Sequence, residues 1–149
     1  MKIKQVKQFS FFYKVQSVNQ CGGESKVNYY ATNIECITLG GNLMIEREKI
    51  IKNYFQSWLN KSILALRKTF DLNAVYSECY GPEYYGLEII ERWFNDWNKR
   101  GTVLVWDIKK FIHQDNITAV ERYFKCDYDG DVVEFDGVSL IEFIMITIL

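Results

Sequence analysis

Among the side chains that could move a proton or attack a carbon, Glu78, Cys79, His113 and Asp136 stand out by their surroundings. Glu78 and Cys79 stand together in Ala74-Val-Tyr-Ser-Glu-Cys-Tyr80, a short strand-like run stopped by Gly81-Pro82. A glutamate there serves as a general base once partly buried; a solvated strand residue is the competing reading. Alternation groups Glu78 with Tyr76 and Tyr80, and Cys79 with Val75 and Ser77. Cys79 needs an activating base, and none is adjacent in sequence. Asp136 lies between Phe135 and Gly137. In an apolar cavity its carboxyl would stay protonated and donate a hydrogen bond to a developing oxyanion. As an ordinary turn aspartate it would hold its own backbone instead. His113, the only histidine, titrates near neutrality, but it stands where a strand end is usually exposed.

Other motifs are weaker. Tyr54 and Tyr76 could present hydroxyls to a ligand, and Trp58, Trp93, Trp97 and Trp106 could line a pocket. At periodic positions all six read equally as core. Asp127-Tyr-Asp129-Gly-Asp131 lacks the flanking helices and the spaced glutamate of a calcium loop, and reads as a turn. Cys21, Cys36, Cys79 and Cys126 include no C-x-x-C pair, and His113 completes no zinc set. There is no phosphate loop, dinucleotide fingerprint or Ser-His-Asp set. No metal site and no cofactor are expected.

The elements that must position these residues follow from composition and period. The 149 residues carry a net charge of −1, are 48% hydrophobic and 16% aromatic, and contain a single proline. That supports one globular domain and excludes a disordered or collagen-like chain. No apolar run reaches the ~18 residues of a membrane helix, and no uniform basic face suggests nucleic acid. Without a signal peptide or paired cysteines, the reading is a cytoplasmic protein with free thiols.

From Met44 the pattern is clean. Ile50/Ile51, Tyr54/Phe55 and Trp58/Leu59 predict a helix over 45–60. Ser62 caps a second over 63–70. A strand covers 74–80, and a third helix covers 87–99 with Leu87, Ile90, Trp93/Phe94 and Trp97 inward. The period then becomes two. Strands are expected at 102–114 and 117–128, joined at Asp115-Asn116, then at 132–143. That register sets Lys110 against Glu121, Phe111 against Val120 and Val105 against Cys126. It also places Trp106, Ile108 and Ile112 on one face with Ala119 and Tyr123. Apolar residues on both sheet faces suggest helices on one and a homodimer partner on the other.

Both ends break the pattern. Residues 1–43 hold five lysines and two glutamates, with apolar residues in clumps. Gly40-Gly41 can be encoded by a ribosome-binding sequence just upstream of Met44. Residues 1–43 are therefore expected to be an irregular arm, either translated leader or flexible extension, ahead of a domain over 44–149. Ile144–Leu149 follows a strand with no turn, and one coding of it yields a turn and new strand in another frame. It reads as frameshifted sequence replacing a final strand, or else as a buried terminal strand.

The order helix, helix, strand, helix, meander resembles the nuclear transport factor 2-like superfamily, in particular its SnoaL-like, ketosteroid isomerase-like branch. The resemblance rests on residues 50–60, on Tyr80-Gly-Pro-Glu-Tyr-Tyr-Gly-Leu-Glu-Ile-Ile-Glu-Arg-Trp93 and on Phe135–Phe143. It implies an α+β, cystatin-like cone: three helices on a curved, mostly antiparallel sheet around an apolar pocket. It implies a pocket acid near Asp136 and a base near Glu78, where isomerase-like members carry aspartate. It implies a small apolar ligand and a homodimer, with or without proton-transfer catalysis. Such domains usually end in one more strand, which this sequence lacks after Phe143.

Overall fold

The computed structural model describes residues 1–11 and 37–144. The elements run β1 (Lys2–Phe11), α1 (Ile37–Leu59), α2 (Ile63–Thr69), β2 (Phe70–Ser77), β3 (Glu83–Tyr85), α3 (Leu87–Arg100), β4 (Gly101–Gln114), β5 (Ile117–Tyr128) and β6 (Asp131–Ile144). Six strands form one mixed sheet in the order β3-β2-β1-β6-β5-β4. Three helices pack on it, giving the expected α+β layout.

α1 presents Ile51, Tyr54, Phe55 and Trp58 to the core, all at most 3% exposed. This is the stripe read from the period, although the helix starts at Ile37 and passes through Gly40-Gly41. The Ser62 hydroxyl caps α2 by accepting from the Ala65 amide at 3.3 Å. The strand expected at 74–80 begins instead at Phe70, right after Thr69, and ends at Ser77. Rings interlock at the centre: Phe55 stacks on Trp106 at 4.2 Å, and Tyr54 meets Phe70 edge-on at 5.2 Å.

The β4–β5 hairpin turns at Asp115-Asn116, with Lys110 opposite Glu121 and Phe111 opposite Val120 as the register required. Beyond them, bulges between Ile108/Lys110 and Val103/Val105 shift the pairing. Val103, not Val105, faces Cys126. Each extra residue also switches which side of the sheet the next side chains take. Trp106 therefore turns inward and is 7% exposed, while Ile112 is 56% exposed, so the shared face expected for these two does not form.

The largest departure is β1. Residues 2–11 of the supposed irregular arm form an interior strand, antiparallel to β6 and parallel to β2. Ile3 and Val6 are fully buried. The expected gap for a missing final strand beside β6 is thus filled from the N-terminus. Alternation failed to reveal this strand because a bulge between Ile3 and Gln5 puts its two inward apolar residues three apart. Of the residues under the leader reading (1–43) and the frameshift reading (144–149), 12–36 and 145–149 lie outside the described residues. No helix of the described residues is long and apolar enough to cross a membrane.

Candidate functional site

At the open end of the cone, helices and concave sheet face enclose a cavity of about 770 Å³. Its walls are aromatic because every contributing element turns its periodic rings inward. Trp58 comes from α1, Trp93 and Trp97 from α3, Tyr76 from β2, Trp106 from β4 and Phe124 from β5. The tryptophans brace one another: Trp58 meets Trp93 at 4.9 Å and Trp97 at 5.4 Å, both edge-on. Gly101 makes room for this wall, since a Cβ there would stand 2.7 Å from the Trp97 ring and 2.8 Å from Tyr128.

The charged and amide side chains in the lining are Gln8, Glu78, Asp96, Arg100 and Arg122. Glu78 follows the end of β2, where its amide donates to the Pro82 carbonyl at 2.8 Å. Its side chain lines the cavity. Burial raises its pKa to about 7, partly offset by the positive charge of Arg122. It is thus a carboxyl that exchanges its proton near neutrality, as a general base requires. The Tyr76 hydroxyl is held well above its usual pKa, first by burial and then by Glu78, and so remains a donor. Burial and the same carboxyl push Tyr80 at the rim to about 12.

Beneath these lies a chain of side chains that sequence reasoning missed. Gln8 Nε2 donates to Tyr76 Oη at 3.0 Å. Gln8 Oε1 accepts from Arg122 Nη2 at 2.8 Å and from Ser139 Oγ at 2.6 Å. Arg122 Nε donates to Ser139 Oγ at 2.9 Å and to Gln8 Oε1 at 3.2 Å. Arg122 is 2% exposed, and burial lowers its pKa. Its guanidinium lies 5.4 to 5.8 Å from the ring centres of Trp106, Phe124 and Phe135. One signal was available: Val120, Arg122, Phe124 and Cys126 share parity on β5, so the arginine stands in an apolar row.

The candidates divide accordingly. Trp58, Tyr76, Trp93, Trp97, Trp106 and Glu78 line the cavity, with Cys79 beside them. Tyr54 does not line it: it is fully buried behind the wall, where burial raises its pKa. Asp136 is the clear correction. Its side chain is 49% exposed and pairs with Lys109 at 2.6 Å. Phe135 faces the cavity, so strand alternation turns Asp136 to the outer face. Asp136 and Glu78 do not share an interior. His113 is also remote, bonded to Thr118 Oγ1 at 2.9 Å and to Glu48 Oε1 at 3.1 Å. Asp127 holds its own turn by accepting from the Gly130 amide at 2.9 Å.

No protein-family model matches this chain, and no curated protein matches it. Solved structures do. A protein of ketosteroid isomerase-like fold from Catenulispora acidiphila, in complex with trimethylamine, superposes with a TM-score of 0.58 at 17% identity, over 64% of this chain and 75% of that one. An LEH-like epoxide hydrolase from M. tuberculosis gives 0.59 at 11% identity, over 64% and 71%. A Shewanella denitrificans protein labelled a SnoaL-like polyketide cyclase gives 0.51 at 15% identity, over 65% and 79%. The chain has the ketosteroid isomerase-like fold of these structures. At these identities the likeness is one of fold, and chemistry must be argued from the cavity itself.

Proposed function

We propose that the cone binds a small, largely apolar molecule and that Glu78 acts on it as the base of a cofactor-independent proton transfer. The observation that carries this is a carboxyl with a pKa of about 7 inside a cavity walled by aromatic rings. The volume suits a ligand of drug size, with polar side chains in the lining to orient it. In the step proposed, the Glu78 carboxylate takes a proton from a carbon next to a carbonyl. The C–H bond breaks, its electron pair becomes an enolate, and the protonated Glu78 returns the proton elsewhere on the substrate. This is isomerase, cyclase or dehydratase chemistry by class. The trimethylamine in the Catenulispora protein, and the epoxide hydrolase and polyketide cyclase labels, support the small-molecule part.

The test is mass spectrometry of small molecules that copurify with the full chain, followed by turnover of those found. Glu78→Gln should keep the ligand and lose about 10²- to 10⁴-fold in rate. Unchanged turnover in that variant would remove the base.

The second reading is a non-catalytic, dimeric interaction domain. It is favoured by the outer sheet face, where Phe9, Ile112 and Leu140 are exposed. We place the homodimer contact there in either case. Sedimentation that finds only monomer at high concentration would reject it. Free thiols at Cys79 and Cys126 accord with a cytoplasmic, reducing setting.

A further inference from the structure

Arg122 is held from one side only. Its Nε and Nη2 donate to Gln8 and Ser139, both neutral acceptors, while Nη1 is buried and has no hydrogen-bond partner. Among the described residues, no carboxylate lies within 4.0 Å of this guanidinium. Two acids share its cavity, Glu78 and Asp96, and neither pairs with it; burial favours the neutral form of Glu78. A guanidinium taken out of water without a counter-charge costs several kcal/mol. The three surrounding rings return part of that by cation–π attraction, but they also keep out water that would screen the charge. An arginine kept only for packing would have its five N–H donors satisfied by the protein itself. This one is anchored at two nitrogens, its third has no partner, and its side chain lines an aromatic cavity.

We infer that the Arg122 guanidinium recognises an anionic oxygen of the ligand, and that the ligand class is a planar, apolar molecule bearing one carboxylate. The inference rests on the small-molecule reading of the cavity and narrows it. A neutral carbonyl would accept from the guanidinium but leave the buried charge uncompensated, so an ionised acid is preferred to its neutral isostere. The aromatic wall supplies area for the planar body, and Gln8 and Ser139 fix the guanidinium so that little ordering is lost on binding.

The test is calorimetric titration of the full chain with cinnamate and with cinnamamide, which match in shape and differ in charge. All four tryptophans line the cavity, so quenching of their fluorescence reports that binding occurs there. Cinnamate should bind at least about tenfold more tightly than cinnamamide, equivalent to about 1.4 kcal/mol. In Arg122→Met the two affinities should converge while the amide still binds; Arg122→Lys should keep part of the preference. Equal affinities in the wild type would overturn the inference and leave the pocket reading standing, and that comparison needs no variant to fold. A preference undiminished in Arg122→Met would overturn the assignment to Arg122. Binding of neither compound would count against the pocket reading and this inference together.

Discussion

Gln8 Oε1 accepts from both Nε and Nη2 of Arg122, at 3.2 and 2.8 Å, across 114 residues of sequence. The same amide donates to Tyr76. β1 therefore does two jobs. It closes the sheet between β2 and β6, and it supplies the residue that joins the hydroxyl and guanidinium of the cavity. One strand thus serves both the sheet and the cavity wall.

The docking of β1 predicts a strong effect of a single N-terminal substitution. Ile3 is fully buried against the core. Ile3→Ala should lower the free energy of unfolding by about 2–5 kcal/mol, the usual cost of emptying such a site. Urea denaturation measures it. A loss below ~0.5 kcal/mol, the level of an exposed surface change, would mean that the strand is a passenger.

Gly137 makes an independent prediction about the same contact. A Cβ at this position would lie 2.3 Å from the Phe9 carbonyl oxygen, so backbone must move. Gly137→Ala should cost about 1–3 kcal/mol, as overpacking does. The amides of β1 should exchange faster with deuterium than those of the β4–β5 hairpin. Equal protection in the variant and wild type would contradict the pairing.

Glu78 should give the protein a pH-dependent stability of definite sign. Its carboxyl ionises near 4.5 in an ordinary setting and near 7 in the fold. Between those values the unfolded chain has released a proton that the folded chain keeps. Stability is therefore greatest below the lower value and falls as pH rises through the window, by on the order of 3 kcal/mol. Glu78→Gln should flatten this slope and be more stable than wild type at pH 8, a value about one unit above the folded pKa. Thermal melts across pH 4 to 8, roughly that window, decide it; parallel profiles for the two proteins would show that Glu78 is not desolvated.

Asp136 should be silent. Its partner Lys109 and its own exposure place it on the outer face. Asp136→Ala should leave cinnamate affinity and melting temperature unchanged, because exposed ion pairs contribute little. A loss of affinity comparable to that of an Arg122 variant would return Asp136 to the site.

Local periodicity was enough to read much of this protein. Stripes every three or four residues located the helices, and with them Trp58, Trp93 and Trp97 on the cavity wall. Alternation and the Asp115-Asn116 turn located the hairpin and the Lys110–Glu121 pair. Glu78 was legible as a candidate through the resemblance, which places a base near it, and alternation grouped it with Tyr76 and Tyr80. Tertiary structure alone decided sidedness and closure. Bulges in β4 put Trp106 inside and Ile112 outside, and one extra residue is enough to do that without changing composition. β1 draws its partners from residues 70–77 and 136–144, so no local pattern could announce it. Parity set Arg122 in an apolar row, but its partners Gln8, Ser139 and three aromatic rings meet it only in the fold. Period is a property of neighbours along the chain. The charge and the cavity of this protein come from neighbours in space.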